Sequence, residues 1–593
     1  MPRQIEFANH LAPYRTHSPM WSSHGNEISL SSFLNGEWSP SQAHYGLLPM
    51  LVGSLCVAGP ASLLSFFWAL GISTFSYIAP KTFRHLLSFL IRSMASIPSI
   101  LFALGGVLFV VPLVRFYSGT SGYSLAATIL SLSFFLLPFQ FKLLDACFRT
   151  SSEAIGIGPD VLGFTNLQKM IWVVFPQAKL GLLSSAALGL CRSLGDTMIA
   201  LLVSGNSPQI PNSMFSPVRT LTAHIALVAG TDSFSPMFQS LLVSIAILMS
   251  LTAGFNLLIV NVFGPDRQFL SRKKVWKKPI PTVSPKSDVL EKKIFKIFPC
   301  PPLHKIRFPT KIRFFSPDLL EKSVEAASLF CFLLFMFLAC SFLFLLLQNG
   351  LHAFSVLFAM KESTLPRLLP AVLGTMSVVL LTLVIAGPLG VIIGIWSSFF
   401  ASSLFKKILD IHIHILSSTP SIVIGFLGYF FILFVRQKFG LQARPCLLLS
   451  AVCLSFLVLP VLIRSTEHAI QQVPDKEKFS GLHLGFTPLQ NAFYVVLPHA
   501  RQGISHGVYL ATVRAAEDTA VIMLTGAMAD SILPTGLSEP FSSLSLQILY
   551  GITEHRGAQD QLFVFATSLV LISMTFTLSF LGEFFTKGKR HGR

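Results

Sequence analysis

A long stretch of this sequence occurs twice. The first copy runs from Gly163 to Thr197, the second from Gly485 to Thr519. Each opens on Gly-Phe-Thr and continues through Leu-Gln to an apolar residue followed by Pro. Each then enters an apolar run that carries Arg and Asp four residues apart. The register never slips: 485 − 163, 498 − 176, 514 − 192 and 518 − 196 all equal 322. A weaker match keeps the same offset upstream, with Ile97-Pro98-Ser99-Ile100 against Thr419-Pro420-Ser421-Ile422, and Leu137-Pro138 against Leu459-Pro460. The chain is two fused copies of one unit, and its function belongs in what both copies keep.

The unit is a membrane unit. Only 12% of the 593 residues are charged and 52% are hydrophobic, with a mean hydropathy of +0.66. A soluble chain of this size carries about twice that charge. Apolar runs of roughly 20 residues recur, long enough to cross a bilayer as helices. They are continuous and do not alternate with period two, which argues against a β-barrel. The net charge of +18 would suggest nucleic acid in a soluble protein. Here the basic residues gather between apolar runs, where they orient a membrane protein with its positive loops inside. The eight cysteines lack CxxC spacing and suggest neither a disulfide framework nor a zinc site. The histidines, His412 and His414 among them, form no metal-ligand pattern. No Gly-x4-Gly-Lys-Ser/Thr occurs, so the chain has no P-loop with which to hydrolyse ATP.

The fold class expected is an all-α polytopic membrane protein. Residues 1–46 are polar. The first unit, 47–264, has spans at about 47–70, 86–114, 123–141, 180–203 and 236–263. A Pro- and Lys/Arg-rich linker, 265–323, leads to the second unit, 324–593, with spans at about 325–347, 368–396, 408–435, 445–464, 503–527 and 561–583. That makes about eleven spans, five and then six. Six of them separate the two repeated stretches, so both stretches face one side and the repeat is parallel, not inverted. The linker and the tail KGKRHGR are the most basic loops and are placed in the cytoplasm. The second unit opens on a helix, 325–347, that has no counterpart in the first. A missing first helix is therefore expected.

Two parts of the repeat carry chemistry. The first is the loop ending in Phe175-Pro176 and Leu497-Pro498. Pro there favours a fresh helix start, and Gly163 and Gly485 allow the chain to turn. A short surface helix that docks a cytoplasmic partner is the expectation. The second part is the buried charge. Arg192 and Asp196 are placed on one helix face, as are Arg514 and Asp518, with Glu517 added and Thr197 and Thr519 next in line. Ionisable groups at membrane depth are costly and mark substrate paths.

The pattern of Gly163-Phe164 to Pro176, and of Gly485-Phe486 to Pro498, resembles the cytoplasmic coupling motif of type I ABC importer permeases. The Glu-Ala-Ala that usually precedes the Gly is replaced by Ile157-Gly158-Pro159 and Phe479-Ser480-Gly481. The stretches Arg192-Ser-Leu-Gly-Asp-Thr-Met198 and Arg514-Ala-Ala-Glu-Asp-Thr519 resemble the membrane subunits of the phosphate-specific ABC importer, PstC-like and then PstA-like. There Glu stands where this chain has Asp, and Gly where it has Glu517. Residues 33–55, 201–226, 368–381 and 543–551 carry further likeness. The resemblance implies a phosphate permease in the bacterial inner membrane, with two partners: a cytoplasmic ATP-binding dimer and an extracytoplasmic phosphate-binding protein. Gly163, Phe164, Pro176, Gly485, Phe486 and Pro498 would meet the ATPase. Arg192, Asp196, Thr197, Arg514, Glu517, Asp518 and Thr519 would line or gate the path. Arg suits a tetrahedral oxyanion because it offers several fixed donors. The Asp can accept from the proton that phosphate keeps near neutral pH. The alternatives are a permease for sulfate or molybdate, an ion-coupled secondary transporter, or a scaffold that no longer transports.

Overall fold

The computed structural model describes Phe33 and residues 36–42, 44–229, 236–263, 317–359, 365–528, 533–534, 536–554 and 557–587. Most of the polar N-terminal segment and of the basic linker, and the end of the tail, lie outside the described residues.

The first unit is built from α1 (Leu48–Ile78), α2 (Lys81–Ala95), α3 (Ser99–Ser118), α4 (Leu125–Ile155), α5 (Phe175–Gly195), α6 (Met198–Val203), α7 (Leu221–Val228) and α8 (Pro236–Phe263). The second is built from α9 (Pro317–Ala359), α10 (Leu365–Phe399), α11 (Ser403–Ser418), α12 (Ser421–Phe439), α13 (Leu447–Gln471), α14 (Asp475–His483), α15 (Leu497–Glu517), α16 (Ala520–Thr525), α17 (Leu544–Thr553) and α18 (Ala558–Lys587). Apart from α14, the helices from α10 onward repeat the order of the first unit from α1, and the added helix α9 precedes them.

Ten helices among the described residues are long and apolar enough to cross a membrane. The eleventh expectation, 503–527, corresponds to α15. That helix carries Arg501, Arg514 and Glu517, and its composition falls short on apolarity. Its counterpart α5, entered from Asn166, qualifies as a span.

Two expected spans each divide into a surface helix and a span. The run 86–114 breaks at Ile97-Pro98, and 408–435 breaks at Thr419-Pro420. The residue before a proline is driven out of the helical region, and Thr419 is extended at ψ 123°. An amphipathic helix leads up to each break. In α2, Leu87, Leu90, Ile91 and Met94 are buried on one stripe, while Lys81 and His85 stay outside. The true span begins only after the break, 20 residues in α3 and 19 in α12. At 1.5 Å per residue each is about 30 Å long, one hydrocarbon thickness.

The units share an interface rather than touching at a point. Phe238 of α8 meets Phe426 of α12, with ring centroids 5.9 Å apart. Asn256 Nδ2 of α8 donates to the His414 carbonyl of α11 at 3.0 Å. The surface helix α11 is tied down by Arg464 of α13, which pairs with Asp410 at 2.8 Å and with buried Glu467 at 2.9 Å. Ser397 of α10 donates to the other oxygen of Glu467 at 2.5 Å. Burial and the Arg464 guanidinium push His414 below its ordinary value.

Helix α9 packs on α18 of its own unit and also covers α1 of the first. Trp68 Nε1 donates to the Cys331 carbonyl at 3.1 Å, and Phe75 stacks on Phe332 at 4.3 Å. A Cβ on Gly71 would come within 2.7 Å of Cys331 Sγ, so only Gly permits this approach. Aligning Leu47-Leu48-Pro49 with Leu368-Leu369-Pro370 maps Trp68, Gly71 and Phe75 onto Leu389, Ile392 and Trp396 of α10. Those three are 50%, 61% and 42% exposed. The two units are thus alike in framework and unlike in what covers them.

Candidate functional site

Both charge-bearing helices end where the charges lie. Helix α5 stops at Gly195, Asp196 is extended at ψ 129°, and α6 restarts at Met198. Helix α15 stops at Glu517, Asp518 is extended at ψ 117°, and α16 restarts at Ala520. The expectation of one continuous helix carrying Arg and Asp on one face is therefore corrected in both copies. The Asp lies in the break, not on the face. Its carboxylate has a local duty there. Asp196 Oδ2 accepts from the Ile199 amide at 3.0 Å, and Asp518 Oδ1 from the Val521 amide at 2.9 Å. These are N-caps, satisfying donors that the restarted helix leaves open. Non-helical backbone at membrane depth is tolerated where protein or a cavity surrounds it.

Each break is held by a side chain of its own unit. Thr222 of α7 donates to the Asp196 carbonyl at 3.0 Å. Ser421, at the start of α12, donates to Asp518. A Cβ placed on Gly195 would lie 3.8 Å from Pro420, so the first unit's break abuts the second unit's Pro break. The charges assemble accordingly. Arg192 interacts electrostatically with Arg514, Glu517 and Asp196, and Asp196 with Asp518. Glu517 interacts with Arg514, Arg192 and Lys142. The charged residues predicted for the path, from both copies, thus influence one another across the units.

The cluster is incompletely satisfied. Arg192 lies over Phe135 and Phe139, with centroids 5.1 and 4.8 Å away. Such cation–π contacts are worth about 2 kcal/mol when desolvated. Its Nε is buried without a hydrogen-bond partner, as are Glu517 Oε1, Thr197 Oγ1 and Thr519 Oγ1. Each such atom costs about 1–3 kcal/mol. Buried donors and an acceptor left open are atoms that a polar ligand could satisfy.

The second sequence motif forms a knuckle in each copy. Gly163 has φ +78° and Gly485 has φ +86°, in the left-handed region that side chains avoid. Phe164 N donates to the Pro159 carbonyl at 3.1 Å, and Phe486 N to the Gly481 carbonyl at 3.0 Å, closing the same turn in both copies. Thr165 and Gln168 form a capping box, as do Thr487 and Gln490. Lys169 Nζ then pairs with Asp160 at 2.9 Å. At the matching position, Asn491 Nδ2 donates to the Lys478 carbonyl at 2.7 Å. Ile157, Val161, Leu162, Leu484, Leu489 and Tyr494 are exposed around the two knuckles.

The helix start expected at Pro176 and Pro498 is displaced. The helix begins at the capping boxes and runs through the prolines. A π-helical turn precedes each, Lys169–Val174 and Ala492–Val496. Proline lacks the amide that would bond four residues back, and its ring clashes with that carbonyl. The widened turn lets the amide just before it bond five back, Phe175 N to Met170 O and Leu497 N to Ala492 O. A third such turn, Gly106–Val110, lies ahead of Pro112.

Three groups at these places escaped sequence reading. Lys142 faces Glu517 from the other unit. Its counterpart at 142 + 322 is Arg464, so paired cations at one offset were the available signal. The capping boxes were legible as Thr-x-x-Gln after each Gly-Phe. Ser421 lay in the Pro-Ser motif that the offset had already marked.

Comparisons with known proteins agree with this architecture. Residues 386–591 match the family described as binding-protein-dependent transport system inner membrane component. The chain is 31% identical over 217 residues to the phosphate transport system permease protein PstC of Haemophilus influenzae, covering 33% of this chain and 69% of that protein. It is 27% identical over 242 residues to PstA of the same organism, covering 40% of this chain and 83% of that protein. It is 28% identical over 250 residues to the probable ABC transporter permease protein YqgH of Bacillus subtilis, covering 41% of this chain and 80% of that protein.

Proposed function

This chain belongs to the family of phosphate transport system permease proteins, multi-pass components of the bacterial inner membrane, and on that premise we propose that it supplies both halves of the membrane path of one ATP-driven phosphate importer. Residues 47–264 and 324–593 act as the two permease units and 265–323 as the tether. The observation that carries the proposal is the paired charge. Arg192–Asp196 and Arg514–Asp518 stand at equal repeat positions on helices broken at the same residue, and each pair feels the other's charge. A two-unit importer needs its ligand contacts duplicated about a central axis, and these are.

The cluster and the knuckles take different roles. Arg192 and Arg514 attract the oxyanion, and Thr197 and Thr519 offer hydroxyls to it. Asp196 and Asp518 cap the restarted helices and accept from a protonated oxygen. Phosphate near neutral pH keeps a proton; sulfate keeps none, and a carboxylate repels it. The knuckles at Gly163–Pro176 and Gly485–Pro498 receive the ATPase dimer, since the chain itself carries no P-loop. An extracytoplasmic phosphate-binding protein delivers the ligand to the outer face.

The test is phosphate uptake in cells lacking their own permease, with this chain expressed beside its own ATPase and binding protein. Uptake should appear, vanish when the ATPase P-loop lysine is replaced, and resist a tenfold excess of sulfate or molybdate. Uptake that survives the inactive ATPase would make the chain a secondary transporter. Suppression by sulfate or molybdate would reassign the substrate.

A further inference from the structure

We propose that the second unit carries, across α10, α11, α12 and α13, a docking face for one more transmembrane helix, an apolar helix of a partner polypeptide that enters the bilayer from the cytoplasm as α9 does. The face is the one that α9 covers on the first unit. Along α11, α12 and α13 the offset to the first unit is 322, and along α10 it is 321. A shared hydrogen bond supports the second figure. Ser54 Oγ of α1 accepts from the Leu221 amide at 2.8 Å, and Thr375 Oγ1 of α10 from the Leu544 amide at 3.0 Å.

On the first unit α9 lays two rings into this face. Phe332 stacks on Phe75 at 4.3 Å and meets Phe83 edge-on at 6.4 Å. Ten residues on, Phe342 meets Phe102 and Phe134 at 5.3 and 5.9 Å, and a Cβ on Gly105 would clash with it. Phe75 and Phe134 are half-buried as a result. The counterparts of Phe75, Phe83 and Phe134 are Trp396, Phe405 and Phe456, aromatic again. Trp396 and Phe405 stand edge to face with centroids 6.3 Å apart. Phe405 and Phe456 are 59% and 53% exposed, and Trp396 is exposed with them. The rings that frame Phe332 and Phe342 on the first unit thus recur on the second, uncovered. Leu63 and Val384 are different: they are equivalent and both exposed, so that stretch of the face is left to lipid in either unit.

Two exchanges of size give the chemistry of the occupant. Helix α9 brings Cys331 to Gly71 and Phe342 to Gly105. The second unit has Ile392 and Leu427 at those places, both exposed. Bulk that α9 supplies on the first unit is built into the framework of the second. The occupant therefore carries small residues at the two matching positions. They are eleven apart, as 342 − 331 gives, and so lie on one face after about three turns. Directly after the first comes an aromatic residue, which enters between Trp396 and Phe405. Small residues at contacts are what lets helices approach closely in lipid. Trp396 and Phe405 flank the turn before Lys406 and Lys407, on the basic cytoplasmic side, so the aromatic residue lies near the cytoplasmic end of the occupant.

The experiment uses the full chain in membranes, expressed beside a tagged single-span probe. The probe is a separate copy of residues 317–359 with Cys331→Gly and Phe342→Ala, keeping Phe332. The photoreactive residue p-benzoylphenylalanine is placed in the full chain at Leu389 or Phe456, on the face, or at Val384, outside it. Irradiation should join the probe to Leu389 and Phe456 about tenfold more than to Val384, and an unmodified copy of 317–359 should be captured about tenfold less than the probe. Trp396→Ala with Phe405→Ala should lower capture by a similar factor. Both side chains are exposed, so this variant alone should insert and melt like the unmutated chain. Capture at Val384 equal to that on the face, or no capture anywhere, would leave the face to lipid and overturn the proposal. Cross-links between two full chains at Phe456, in place of capture of the probe, would assign the face to a second copy and overturn it as well. No readout involves phosphate, so the outcome is independent of what the path carries.

Discussion

Asp196 and Asp518 each hold two properties in one side chain, a cap and a charge, and substitution can separate them. Asn caps a helix about as well as Asp, whereas Ala loses about 1 kcal/mol per site. Asp196→Asn with Asp518→Asn should therefore leave the thermal midpoint of the purified chain within a few degrees and lower phosphate uptake about tenfold or more. The Ala pair should lower both. Uptake unchanged in the Asn pair would reduce both residues to caps. The positions were legible in the sequence because Arg and Asp recur at one offset inside apolar runs. Their geometry was not, because the Asp ends its helix. Thr-Met and Thr-Ala after the Asp carry no Pro or Gly to announce a break. Each break is a tertiary effect: Thr222 holds the Asp196 carbonyl, and Ser421 holds the Asp518 carboxylate. Lys142 was hidden for a different reason: Glu517, whose charge it feels, is 375 residues away, as 517 − 142 gives.

At the scale of elements, each knuckle depends on one backbone conformation that only Gly adopts freely. At φ +78° and +86° a side chain costs about 1–2 kcal/mol, more when β-branched. No atom lies within 4 Å of a Cβ built at either position, so the penalty falls on the backbone and not on packing. Gly163→Val with Gly485→Val should therefore distort both turns, leave membrane insertion intact and reduce co-purification of the ATPase about tenfold. Full retention of the ATPase in the double variant would move the coupling surface elsewhere. Sequence reading found these turns through Gly and their end through Pro. It misplaced the helix start because a π-helical turn lets a rod run through Pro176 and Pro498. The runs 86–114 and 408–435 misled in the opposite sense. Their apolar content continued across Pro98 and Pro420 although the backbone did not, so a surface helix and a span read as one.

The whole molecule is held by more than its tether. Helix α9 belongs by sequence to the second unit, yet it packs on both α1 and α18. Phe75 stacks on Phe332 and Phe342 lies 5.3 Å from Phe102, while a Cβ on Gly350 of the same helix would fall 2.9 Å from Leu569. Phe238 with Phe426 and Asn256 with His414 close the interface on other elements. Aromatic pairs contribute about 0.5–1.5 kcal/mol each beyond their buried area, and several act together here. In lipid, where there is no hydrophobic drive between helices, such packing and hydrogen bonding is what associates them. The two-unit plan was legible from the offset alone; the crossing of α9 was not, because a repeat fixes equivalence and not which unit covers which. The interface predicts that the tether raises effective concentration without creating the contact. Two polypeptides divided within 265–316 and expressed together should co-purify in mild detergent and retain phosphate uptake within a fewfold of the intact chain. Phe75→Ala with Phe332→Ala should weaken the divided protein more than the intact one, since only the divided protein depends on the interface for assembly. Halves that separate freely while each remains folded would show that the tether, and not the packing of α9, holds the path together.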